Sequence, residues 1–207
     1  MRTTTPIFVK TVSSAGKFCF WRFFIARLFY FWWHVRARRI AKNLAPYLKD
    51  ARTVIDIGAG NGLIARELTR LCPNLAITLV DVMDWNVSSL PLVRFDGTSL
   101  PFEDDTFDFA LFIDVLHHAE DQKRILEDAM RVAPRVIVSE PLHENVVERI
   151  SANITDNLQF ILYGMALACN HFRKRDLIQF FEFITKRIEF LGEVSWRHPA
   201  FLLSRED

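Results

Sequence analysis

The first 49 residues contain no aspartate and no glutamate, against ten lysines and arginines. The other 158 hold all 25 acidic residues and 16 basic ones, a net charge of −9. A formal net charge of +1 therefore hides a basic N-terminal arm joined to an acidic body. Nucleic acid is normally met by a basic body, so no nucleic-acid partner is expected. Cysteine is scarce. Cys19, Cys72 and Cys169 show no C-x-x-C spacing, which excludes a disulfide framework and a structural zinc site and points to a reducing, cytoplasmic compartment. The six histidines form no H-E-x-x-H or similar ligand pattern on one helix face, so no metal is expected. Internal repeats and low-complexity linkers are absent too. What is there suffices for a folded core: half of the 207 residues are hydrophobic and a quarter are charged, as in one domain with an appendage.

No uninterrupted apolar run reaches the roughly 20 residues that span a bilayer. The nearest is Phe18–Trp33 (FCFWRFFIARLFYFWW), in which ten of 16 residues are aromatic but Arg22 and Arg27 intervene. Bulky Trp32 and Trp33 stand where a signal peptide would need small residues. On a helical wheel Phe20, Phe24, Leu28, Phe31 and Val35 share one side, adjoined by Trp21, Ile25 and Trp32. Two readings follow. In one, the helix packs across the body and helps to roof a pocket. In the other, Phe18–Arg39 lies in the headgroup region as a peripheral contact at the inner membrane face, ending in the basic run Arg36-Ala37-Arg38-Arg39.

From Thr53 onward short β-type runs alternate with helical stretches. Strands are expected at Thr53–Ile57, Leu75–Val80, Leu92–Phe95, Asp108–Ile113 and Arg135–Ser139, with helices over Leu63–Leu71 and about Asp121–Val132. Strands apolar on both faces and interleaved with helices give an α/β fold, a mostly parallel sheet covered on both sides. Farther on, Asn145–Ala168 and Arg175–Phe183 read as helices. Ile184–Leu191 and Trp196–Leu203 read as an antiparallel hairpin turning near Gly192 and ending the sheet.

The strongest local signal is Val54-Ile55-Asp56-Ile57-Gly58-Ala59-Gly60-Asn61-Gly62. A strand runs into three alternating glycines and a helix opens directly after them, so backbone N–H groups can approach a ligand closely. Nineteen residues beyond Gly62, at the end of the second strand, Asp81 can accept from both hydroxyls of a ribose. Together they form a nucleoside-binding unit. Gly60-x-Gly62-x-x-Ala65 can be forced onto the dinucleotide fingerprint, but its first glycine then falls two residues late. The register D-x-G-x-G-x-G from Asp56 is complete.

In that register the chain resembles the class I S-adenosylmethionine (SAM)-dependent methyltransferases, in particular the small-molecule group that includes the ubiquinone and menaquinone type (methyltransferase type 11). Phe95–Asp108 (FDGTSLPFEDDTFD) is similar to that family's "gDa..LPF.d.sFD" segment, Ile113–His118 (IDVLHH) to its "..vLHH" motif, and Val138-Ser139-Glu140-Pro141 to its fifth strand. The resemblance covers Val54–Pro141 and implies a Rossmann-like methyltransferase domain over 50–207, preceded by a helical arm over 1–49. It implies that Gly58, Ala59, Gly60 and Gly62 line the methionine part of SAM, with Asp56 orienting the loop. It gives Asp81 the ribose, Val82 and Met83 the adenine flanks, Asp96 and the Gly97 backbone the adenine amino group, and Asp114 and Val115 the place beside sulfonium and acceptor. One departure is the turn before the fifth strand, where Ala133-Pro134 replaces Pro-Gly-Gly.

His117 and His118 are the first candidates for a general base, because a neutral imidazole suits proton removal near pH 7. The bland alternative is that they cap the helix beginning near Glu120. His171 and Tyr163 are weaker candidates. The aromatic arm and Phe160–Tyr163 suggest a hydrophobic acceptor, a small molecule or a lipid or quinone. Two other functions are open at this point: an NAD(P)-dependent oxidoreductase, and a non-catalytic protein that keeps the methyltransferase fold for binding.

Overall fold

The computed structural model describes residues 19–84, 86–143 and 172–205. A long helix α1 (Cys19–Leu44) runs into a short 3-10 turn (Ala45–Leu48), whose second residue, Pro46, has no N–H with which to continue the helix. Then follow β1 (Thr53–Ile57), α2 (Leu63–Leu71), β2 (Ala76–Asp81), β3 (Leu92–Arg94), β4 (Phe109–Ile113), α3 (Gln122–Val132) and β5 (Arg135–Ser139). Helix α4 (Lys174–Ile184) and strands β6 (Arg187–Ser195) and β7 (His198–Ser204) complete the described chain. The expected Asn145–Ala168 helix, Phe160–Tyr163 and His171 lie outside the described residues.

The seven strands form one sheet in the order β3-β2-β1-β4-β5-β7-β6. The first five are parallel, and β7 joins β5 and β6 antiparallel. Alternate residues of each central strand enter opposite faces. Ile55, Ile57, Phe112 and Val138 meet Leu126 of α3 and Leu177 and Phe181 of α4. Val54, Leu79, Leu111 and Ile137 meet Ile40 and Leu44 of α1 and Ala65 and Leu68 of α2. Helices thus cover both faces, and Ala37, Ile40, Ala41 and Leu44 at the end of α1 belong to the core.

The hairpin does not turn at Gly192. That residue lies inside β6, at a register shift between Phe190 and Gly192, with φ +102°. The turn is at Trp196-Arg197, where Arg197 itself takes φ +59°. Gly192 supplies the irregularity of a bulge instead, which is the other common use of a strand glycine.

The chain passes from β1 through β2 to β3 on one side, then returns across the sheet to β4. The carboxyl ends of β1 and β4 therefore flank the point where strand order reverses, the ordinary ligand crevice of open α/β sheets.

Candidate functional site

At the end of β1 the backbone turns through Gly58 (φ +69°), Gly60 (φ +54°) and Gly62 (φ +70°), and Gly62 opens α2. The three glycines meet different surroundings. A Cβ on Gly58 would stand 2.4 and 2.6 Å from the two γ-carbons of Val115, and one on Gly62 would stand 2.6 Å from Ser88 Oγ and 2.8 Å from Asn86 Oδ1. A Cβ on Gly60 would meet nothing within 4 Å. Two glycines are thus fixed by packing, and the middle one faces open space. The Gly58 and Ala59 N–H groups donate to the Val80 carbonyl, at 2.7 and 3.2 Å, which binds the loop to the end of β2.

Asp81 joins the two strand ends. Its Oδ2 accepts from the Gly60 N–H at 2.8 Å and its Oδ1 from the Met83 N–H at 2.8 Å. A carboxylate has about four acceptor sites, so two hydroxyls can still be taken. Beside it Val82 and Met83 are exposed although apolar. Gly97 (φ +87°) closes on Val82, with Cβ space only 3.3 Å deep. Asp96 stands exposed at the head of that turn. Its Oδ1 accepts from the N–H groups of Thr98 (2.8 Å) and Ser99 (3.0 Å), and these bonds hold its carboxyl below the usual range.

Asp56 is buried in β1, and burial, reinforced by the Asp81 charge, pushes its carboxyl up to about 7. Asp114, at the end of β4, has the left-handed backbone φ +58° that a non-glycine residue rarely adopts. Burial works against its charge, yet Arg36 of α1 and His198 of β7 outweigh this and hold the carboxyl well below the usual range. Arg36 donates to Asp114 Oδ2, and His198 Nε2 lies 3.2 Å from Oδ1. His198 is raised in turn: burial opposes its charge, but the Asp114 carboxylate overcomes that.

The loop after Asp114 is held from below. Glu140, fully buried, accepts from the Val115 N–H (2.9 Å) and the Leu116 N–H (2.6 Å) through Oε1, and its Oε2 pairs with His117 Nδ1 at 2.5 Å. His117 is buried in this pair, whereas the adjoining His118 is exposed, its ring centroid 4.1 Å away. The structure thus gathers Asp56, Gly58, Gly60, Gly62, Asp81, Asp114 and Val115 around the ends of β1, β2 and β4. Sequence reading missed Arg36, His198, Asn86 and Ser88, and saw in Glu140 only part of a motif. No local signal could have paired Arg36 with Asp114, 78 residues away.

The sequence model of the methyltransferase-domain family matches residues 55–135. In fold the chain is similar to a SAM-dependent methyltransferase of Thermotoga maritima, with 17% identity, 90% of this chain and 98% of that one covered and a TM-score of 0.62. It is also similar to human N-acetylserotonin methyltransferase solved with SAM, with 17% identity, coverage of 84% and 52% and a TM-score of 0.61. YcgJ of Bacillus subtilis aligns at 19% identity, with coverage of 73% and 69% and a TM-score of 0.57.

Proposed function

We propose that this chain is a SAM-dependent methyltransferase that methylates a small hydrophobic acceptor, a reading supported by the match of residues 55–135 to the methyltransferase-domain model. SAM supplies, when bound, a methyl group already activated on a sulfonium centre. The protein's task is then to bind, orient and exclude water, work that can be worth on the order of 7–11 kcal/mol in favourable cases. The open space at Gly60, beside the Asp81 carboxylate, is the observation that carries the binding site. Gly58, Ala59, Gly60 and Gly62 hold the methionine part, with Asp56 beneath them. Asp81 takes the ribose, Val82 and Met83 flank the adenine, and Asp96 and the Gly97 backbone face its amino group. Asp114 and Val115 stand on the acceptor side. There Arg36 of α1 pairs with Asp114, and its guanidinium carbon lies 5.9 Å from the Trp32 ring centre. That aromatic ring supports an apolar acceptor, a phenol, quinone or lipid.

Calorimetric titration with SAM, S-adenosylhomocysteine (SAH) and NAD tests the cofactor site. Asp81→Ala is expected to weaken SAH at least about tenfold, since hydrogen bonds to a charged group contribute about 1.5–3 kcal/mol. Binding of NAD alone would overturn the assignment. A methyl-transfer screen with mass detection tests the acceptor class, and turnover confined to strongly polar molecules would refute it.

His117 and His118 remain the base candidates, and their surroundings separate two roles. With His117 seated on buried Glu140, His117→Ala is expected to lower Tm as well as turnover at saturating SAM. If exposed His118 is the base, His118→Ala lowers kcat with no change in Tm. Near-normal rates in both variants would remove the base from the mechanism.

A further inference from the structure

The apolar stripe of α1 is not the side that packs on the body. Ala37, Ile40, Ala41 and Leu44 are buried against α2 and the sheet. Phe31 and Val35, on the opposite side of the helix, are 68% and 47% exposed. One turn and two turns beyond Val35, in line with the same outward face, come Arg39 and Lys42, both exposed, and Arg38 is exposed beside them. Large apolar side chains standing together in water mark an interaction surface.

We propose that this outward face of α1 docks the protein on an anionic lipid bilayer. Charge and chemistry select that occupant. Residues 1–49 are without a single carboxylate, so nothing on the arm repels a phosphate surface. Phe31 and Val35 enter the boundary between headgroups and acyl chains, and Arg39 and Lys42 stay among the phosphates. The helix rests on the membrane and does not cross it: among the described residues no helix is long and apolar enough to span. The docked face is the reverse of the core-facing one, so binding leaves the packing of Ile40 and Leu44 intact. This inference is independent of the acceptor and of the reaction.

Co-sedimentation of the full chain with vesicles of phosphatidylcholine and rising phosphatidylglycerol tests it. Binding is expected to rise with the anionic fraction and to fall with salt. Arg39→Glu/Lys42→Glu should cut partitioning about tenfold or more, at about 1 kcal/mol for each basic residue near the surface. Phe31→Ser/Val35→Ser should cut it by a similar factor on phosphatidylglycerol vesicles. Circular dichroism and SAH affinity should stay unchanged in both variants, which separates lost docking from lost folding. Absence of binding at every composition, or equal binding by wild type and the Phe31→Ser/Val35→Ser variant, overturns the proposal. So does a wild-type dimer in light scattering that this variant converts to monomer, since the stripe would then be a contact between copies.

Discussion

Alanine in place of Gly58 is expected to weaken SAH binding about 100-fold and to lower Tm, while alanine at Gly60 weakens binding with little change in Tm. Both positions take a positive φ, which costs an L side chain roughly 1 kcal/mol. Their surroundings make the difference. The new Cβ at Gly58 overlaps both γ-carbons of Val115, at 2.4 and 2.6 Å, and Val115 cannot retreat freely because its N–H is bonded to Glu140. Overpacking of that kind typically costs about 1–3 kcal/mol. Added to the φ strain, it amounts to about 3 kcal/mol for a loop that keeps its native path, or roughly 100-fold in affinity. At Gly60 the Cβ points into open space, so the folded protein tolerates it better and a ligand occupying that space does not.

Val115→Ala supplies the control. If the clash is the cause, Gly58→Ala/Val115→Ala binds SAH more tightly than Gly58→Ala alone, and a double-mutant cycle over the four proteins yields a favourable coupling. Additive losses would mean that Val115 has no part in the effect. Equal loss of Tm at Gly58 and Gly60 would mean that the loop is not packed as described.

The difference between these two glycines shows where sequence reading stops. Alternation of apolar runs with helical stretches was enough to place β1, α2 and β5 at the bounds observed, because their ends are marked by glycine, by Cys72-Pro73 and by Pro134. The D-x-G-x-G-x-G register places a glycine loop at the end of β1, where Gly58, Gly60 and Gly62 all take positive φ. What packs against each glycine was not legible, since Val115 and Ser88 come from other loops. The hairpin differs for a related reason: the sequence offers a glycine for the turn, while the turn's own positive φ is carried by Arg197. In α1 the wheel identified an apolar stripe correctly as a pattern. A pattern has no address, however, and the side that meets the core is set by the smaller residues Ala37, Ile40, Ala41 and Leu44, which fit closely over α2. The contacts of Arg36, His198 and Glu140 depend on strand order and were out of reach of any window along the chain.

Asp56→Asn is expected to leave stability nearly unchanged at pH 4 and to raise it by several kcal/mol at pH 8. The carboxyl has an ordinary value of 3.8 in the unfolded chain and is pushed up to about 7 in the folded one, chiefly by burial and then by the Asp81 charge. Between those values the native state holds a proton that the unfolded chain has released. Stability from this group is therefore fully present below pH 3.8 and is lost as pH rises through 7. A displacement of about 3 pH units corresponds to a loss on the order of 4 kcal/mol. Asparagine copies the neutral acid in size and cannot ionise, so it removes that slope. His198 contributes in the same direction, because its raised value makes its pairing with Asp114 a source of stability that fades at alkaline pH. Asp114 acts oppositely: its lowered value adds stability above the ordinary carboxylate range that is lost on acidification. Both contributions are common to wild type and variant, so the difference between the two denaturation curves isolates Asp56. Urea unfolding at pH 4, 6 and 8 measures it. Curves that run parallel across the three pH values would show that Asp56 is ionised in the folded protein throughout, and the pull of burial and Asp81 on it would have to be abandoned.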